Sequence, residues 1–209
     1  MSDCISNVFQ DSYSVKNFAC IFGVLNGIYS LMKKSLFIIF ILGFASGLPM
    51  ALISSTLQAW YADAGMPIMA TGALSLVGLP YVYRIFWGPI LDRYSLGSMG
   101  KRRSWILAMQ VLLLIGFNIM AWFRPEQHPN LLAFFALILA CFSATQDVAI
   151  DAHRAEFLPT NEHALGASVA VLGYRLALLI SGGGALVIAY HQGWAFTYRI
   201  MGAGMAIGM

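Results

Sequence analysis

Charge is what this sequence has least of. Only 10% of its 209 residues are Asp, Glu, Lys or Arg, where a soluble domain carries about 25%. A surface so poor in charge is not kept in water, which excludes a soluble globular domain. Cysteine is scarce as well. Cys4, Cys20 and Cys141 are the three, and their spacing matches neither a metal site nor a disulfide framework. No metal and no cofactor is expected. An excess of one sign is also missing: 12 basic residues stand against 9 acidic ones, a net +3. That argues against a nucleic-acid partner.

Long apolar runs are present instead. A membrane-crossing helix needs roughly 20 mostly apolar residues, and five runs qualify, at about 35–57, 68–90, 104–123, 131–151 and 165–190. A sixth begins near Trp194 and meets the end of the sequence at Met209. The runs do not alternate and are too long for barrel strands. In hydrocarbon each backbone group needs a partner within its own segment, so the runs predict helices and a lipid bilayer around them. Residues 1–32 stand apart as an N-terminal extension of uncertain status, with Met32-Lys33-Lys34 a possible alternative start. The transmembrane domain is expected over 33–209. Lys33 and Lys34, the segment Arg93, Lys101, Arg102, Arg103, and Arg154 all fall on one side if the N-terminus is cytoplasmic.

Small residues and prolines punctuate the runs. Gly43 and Gly47, and the triplet Gly182, Gly183 and Gly184, let helix backbones approach. Pro49 and Pro80 each remove a backbone donor and are expected to kink their helices.

Ionisable residues inside the runs are the candidate functional groups, because a charge at the bilayer centre costs about 2.5–3.5 kcal/mol on the insertion scale. Asp147 and Asp151 are four apart and share one helix face. Two carboxylates that close repel when both are ionised, so the pair suits proton uptake and release. Asp151 also fits a simple hydrated pair with His153 or Arg154. Gln146 adjoins Asp147. Arg175, beside Tyr174 in the fifth run, is expected in the interior, either neutralising an Asp of the fourth run or binding an anionic substrate. Arg84 reads as structural, its long stem reaching the interface. Gln58 and Trp60 close the first run, and Gln110 lies in the third. Hydrogen-bonding groups and aromatic faces of this kind suit a sugar cavity, although Trp60, Trp122 and Trp194 at run ends also form an ordinary interfacial belt.

The stretch Gly88-Pro-Ile-Leu-Asp92-Arg93, followed by Gly100-Lys101-Arg102-Arg103, resembles the cytoplasmic loop signature of the major facilitator superfamily, with a longer spacer between its parts. Gly43-Phe-Ala-Ser-Gly47-Leu-Pro49, Thr56-Leu-Gln58-Ala-Trp60, Leu76-Val-Gly78-Leu-Pro80-Tyr81, Gln146-Asp147-Val-Ala-Ile-Asp151 and Gly173-Tyr174-Arg175 are similar to segments of the AmpG-type muropeptide permease family. The resemblance runs from about residue 33 to the C-terminus, with Arg199 standing where an apolar residue is expected. It implies an all-α, polytopic bundle and a proton-coupled importer of anhydro-muropeptides, amino-sugar and peptide molecules released from the cell wall. It places that importer in the bacterial inner membrane and assigns transport importance to Asp147. Family members have twelve or more spans, so six at most, the sixth truncated, imply a half permease that needs a C-terminal half. The alternatives are a transporter of the acetyl-CoA type, an inactive remnant, and, on Asp147-x-x-x-Asp151 alone, an intramembrane prenyltransferase.

Overall fold

A computed structural model describes residues 34–94 and 100–208. The N-terminal extension, Lys33 and the spacer at 95–99 lie outside the described residues. Contacts divide the chain into units of residues 1–37 and 38–209; the second carries the features below.

All regular structure among the described residues is helical. The first span is α1 (Lys34–Ile53) continued by α2 (Ser55–Asp63). The second is broken into α3 (Ile68–Ala73), a 3-10 turn (Leu74–Gly78), α4 (Leu79–Val82), a second 3-10 turn (Tyr83–Phe86) and α5 (Trp87–Arg93). Its two halves, Ile68–Val82 and Trp87–Arg93, meet at 48°. The third and fourth spans are α6 (Lys101–Met120) and α7 (Pro129–Phe157). The fifth is α8 (His163–Leu179), a π-helical segment (Ile180–Gly184) and α9 (Ala185–Gln192). Among the described residues, four helices, or five counting the bent pair, are long and apolar enough to cross a membrane. The segment expected to start a sixth span forms α10 (Trp194–Gly204), of 11 residues, and a 3-10 turn (Met205–Gly208). At 1.5 Å per residue α10 is about 16 Å long, half the hydrocarbon thickness, so a sixth span is not confirmed.

The first span is central. In its apolar window 67% of residues are buried within the chain, against 22% in the fifth. α6 packs along α7, and α10 lies on α6. The larger core gathers Leu52, Leu57, Tyr61, Leu113, Phe117 and Tyr198, and a smaller one gathers Leu42, Leu91, Ile106 and Ile150.

Glycine sets how closely the first and fifth spans approach. A Cβ at Gly43 would stand 2.3 Å from the Ala170 carbonyl oxygen, one at Gly47 2.5 Å from that of Tyr174, and one at Gly173 2.3 Å from that of Phe40. No side chain fits at such distances, so α1 and α8 cross backbone to backbone. The triplet Gly182–Gly184 does something else. A Cβ there would meet nothing closer than 3.9 Å. These residues form the wide π-turn, whose Ser181 carbonyl accepts a hydrogen bond from Thr56 Oγ1 at 2.8 Å.

Pro49 sits inside α1. Its missing N–H leaves the carbonyl four residues back, that of Ala45, without its helical partner. Gln146 Nε2 of α7 donates to that oxygen at 3.4 Å. A proline in one helix is thereby tied to an amide in another, as freed backbone groups in lipid require.

Candidate functional site

A cavity of about 200 Å³ opens between four spans. α1 contributes Gly43 and Ser46, the second span Arg84, α7 Asp147, Asp151 and Arg154, and α8 Tyr174. The glycine crossing brings α1 and α8 close enough for their small residues to form one wall. Asp147 is buried, 7% exposed, and Ser46 is 8% exposed. Ser46 Oγ donates to Asp147 Oδ1 at 2.5 Å. That is the short end of hydrogen bonds to a carboxylate. No cation stands within ion-pairing distance of Asp147 among the described residues. Arg84 lines the same cavity and lies within electrostatic reach of the carboxylate. The arrangement gives a buried carboxyl one fixed donor, an open cavity and a guanidinium at a distance. Such a group can hold a proton or accept hydrogen bonds from a polar cargo.

The expected residues separate on this geometry. Asp147 and Asp151 share the cavity. Asp151 is at its exposed edge and pairs with Arg154 at 3.2 Å. Tyr174 lines the wall, and its hydroxyl donates to Met50 Sδ. Gln146 lies behind, fully buried, its Nε2 on Ala45 and its Oε1 without a partner. Arg175 does not join them. It is exposed on the surface of this chain, forms no ion pair with an aspartate among the described residues and does not line the cavity. Successive helical residues point about 100° apart, so α8 turns Tyr174 inward and Arg175 away. Gln58 is half-buried on α2, outside the cavity. Ser46 and Arg84 are additions. Ser46 carries no sequence signal, being one small polar residue in an apolar run. Arg84 is brought to the cavity by the breaks of the second span, which no periodicity foretells.

A second cluster joins the basic loop to the end of α7. Arg102 pairs with Asp92 at 2.5 Å and, through Nε, with Glu156 at 3.0 Å. Trp105 Nε1 donates to the Tyr94 carbonyl at 2.9 Å. Gly100 starts α6 at φ +99°, a left-handed value that glycine adopts without strain. Lys101 and Arg103 line the hollow between these groups. Arg93 is exposed at the end of α5, and Gly88 lies in α5 with open space where a Cβ would be. Glu156 was not anticipated, since its partner lies 54 positions away.

One fork of guanidinium on two carboxylates makes a prediction. Arg102→Ala is expected to lower stability by about 1 kcal/mol, the upper range for an exposed pair. Arg102→Lys is expected to recover less than half of it, because an ammonium lacks the planar fork. Thermal unfolding in detergent at low and high salt checks this; equal melting of wild type and Arg102→Ala at low salt would contradict it.

Similarity to known proteins agrees with a carrier. Residues 35–192 match the family described as acetyl-coenzyme A transporter 1. The chain is 44% identical over 167 residues to the anhydromuropeptide permease of Escherichia coli (strain K12), covering 79% of this chain and 34% of that one. It is 34% identical over 171 residues to the putative transporter AmpG 4 of Rickettsia felis, covering 79% of this chain and 41% of that one. The chain thus spans between a third and two-fifths of the length of these curated relatives.

Proposed function

Because the chain belongs to the acetyl-coenzyme A transporter 1 family, we propose that it forms one half of a proton-coupled importer of anhydro-muropeptides. The observation that carries this reading is Asp147, a buried carboxyl held by Ser46 in a cavity that four spans share. The similarity to a permease named for anhydromuropeptide supports the choice of cargo. A protonated Asp147 is neutral and tolerates burial; an ionised one needs a cation or the cargo's donors beside it. Alternation between those states is what couples a carrier to a proton. Asp151 and Arg154 at the cavity edge provide a hydrated route for the proton.

Basic residues gather at one end of the spans, at Arg93, Lys101, Arg102, Arg103 and Arg154. The positive-inside rule supports placing that end in the cytoplasm, and with it the N-terminus. A bacterial inner membrane fits cargo released outside and used inside. Carriers built from paired repeats hold cargo between their halves at mid-membrane. Transport by these spans therefore requires complementing spans, on the same or a separate polypeptide. The description of the matching family favours acetyl-CoA as a second cargo to test.

The deciding experiment is uptake of radiolabelled anhydro-muropeptide by cells lacking their own permease, which express these residues with or without the complementing spans. Uptake with both, collapsed by a protonophore, is the expected result. Uptake of acetyl-CoA in inverted vesicles, with none of muropeptide in cells, would overturn the cargo. Muropeptide uptake that survives the protonophore would overturn the coupling.

A further inference from the structure

A separate cavity lies at the end of the bundle away from Asp92 and Arg102. It holds about 690 Å³ and is walled by Trp60 at the end of α2, Trp122 and Arg124 just beyond α6, Glu126, and Trp194 and Arg199 of α10. The first span reaches it through Trp60 and the fifth through Gln192, but it shares no lining residue with the Asp147 cavity. It is therefore a separate place in the fold, on the α6 and α10 side.

Its aromatic wall is fixed from within. Trp60 and Trp194 stack with ring centres 5.9 Å apart and planes 12° apart. Trp194 Nε1 donates to Asp63 Oδ2 at 2.7 Å. Tyr198 packs on Trp60 at 5.0 Å, and its hydroxyl donates to the Leu52 carbonyl at 2.9 Å. Trp122, 77% exposed, forms the outer lip. The polar tips of Trp194 and Tyr198 are already used, so these rings offer shape and apolar surface.

Its charges are not used. Arg124, Glu126 and Arg199 make no ion pair and no side-chain hydrogen bond among the described residues. Arg199 stands about 8 Å inside α10 from Trp194, where a cation facing hydrocarbon is costly. Two guanidiniums and one carboxylate on one hollow match a phosphate joined to an ammonium, because guanidinium suits phosphate and a carboxylate accepts from ammonium. Tryptophan at span ends sits at headgroup level, where such a zwitterion is abundant.

We propose that this pocket binds the headgroup of one aminophospholipid, its phosphate between Arg124 and Arg199 and its ammonium on Glu126. The bound lipid neutralises Arg199 and fills the hollow between the loop after α6 and the start of α10. A trimethylammonium headgroup has no N–H to give Glu126, so it binds more weakly.

The test is native mass spectrometry of the purified chain in mild detergent, titrated with phosphatidylethanolamine, phosphatidylcholine, phosphatidylglycerol or inorganic phosphate. One phosphatidylethanolamine is expected to stay bound, at least about tenfold tighter than phosphatidylcholine, the size of one charge-assisted hydrogen bond. The double variant Arg124→Gln/Arg199→Gln is expected to lose it. Glu126→Gln, which keeps both arginines, is expected to remove the preference for ethanolamine while leaving phosphatidylglycerol binding intact. Equal retention of ethanolamine and choline lipids by the wild type overturns the proposal. So does unchanged binding in the double variant, displacement of the lipid by millimolar phosphate, or displacement by anhydro-muropeptide, which would give the pocket to the cargo instead.

Discussion

Asp147→Asn is expected to lower uptake by about a hundredfold or more, the lower range for loss of a positioned acid–base group, with the protein still present in the membrane. Asparagine has the volume of aspartic acid, and its amide oxygen accepts from Ser46 as the carboxylate oxygen does. What it lacks is a proton to gain or lose. Packing around α7 is kept while the proposed proton coupling is removed, which makes this the cleanest substitution in the cavity. Ser46→Ala is a graded companion. It removes the donor 2.5 Å from Asp147 Oδ1 and leaves the carboxyl titratable, so uptake should fall by about tenfold, the equivalent of one hydrogen bond to a charged group. Its pH profile should also shift, which a packing defect alone would not produce. The measurement is initial uptake rate against external pH for wild type and both variants, together with the complementing spans and normalised to protein in the membrane. An Asp147→Asn carrier that transports normally would remove this residue from the mechanism.

The second large effect is structural. Gly43→Leu is expected to abolish the folded bundle. Even the first added carbon would stand 2.3 Å from the Ala170 carbonyl oxygen, a backbone atom that cannot swing aside. Overpacking a core ordinarily costs about 1–3 kcal/mol; here α1 and α8 must separate along their length, and the cavity wall goes with them. Gly173→Val makes the same demand from the other helix, against the Phe40 carbonyl. Gly182→Ala is the control, with open space around its Cβ. Fluorescence-detected gel filtration of the solubilised variants reads the outcome. A sharp wild-type peak for Gly43→Leu would show that the crossing is looser than these distances require.

Much of this was legible in the sequence, and the boundary follows physical lines. The spans were readable because lipid imposes length and continuity on every helix that crosses it. Asp147 and Asp151 were readable as a pair because four residues is about one helical turn. The close helix approach was signalled by Gly43 and Gly47, whereas Gly182–Gly184 carried the same composition to a different end. Nothing in a run of glycines distinguishes a close crossing from a π-turn. Arg175 illustrates a second limit. Adjacent residues on a helix face different ways, and the sequence did not say whether Tyr174 or Arg175 turned toward Asp147. Ser46 and Glu156 mark a third: each meets its partner across more than 50 positions, and neither belongs to a local pattern. The second span was read as one kinked helix at Pro80. Two 3-10 turns divide it further, and they bring Arg84 to the cavity.

The π-turn at Ile180–Gly184 also acts as a rotational adapter. A wide turn holds about one residue more than an α-helical turn, so the face that α8 presents inward and the face that α9 presents inward are set by different phases. Ala177 is buried before the turn, and Ala185 and Ala189 after it, while Leu186, Val187 and Tyr190 point outward. At about 100° per residue an unbroken α-helix would carry Ala189 about 120° away from Ala177, and the extra residue held in the wide turn takes most of that rotation back. Tightening the turn without removing a residue would move the small alanines off the core side and bring bulky side chains toward it. In this segment the width of the turn keeps the two halves of the fifth span in register.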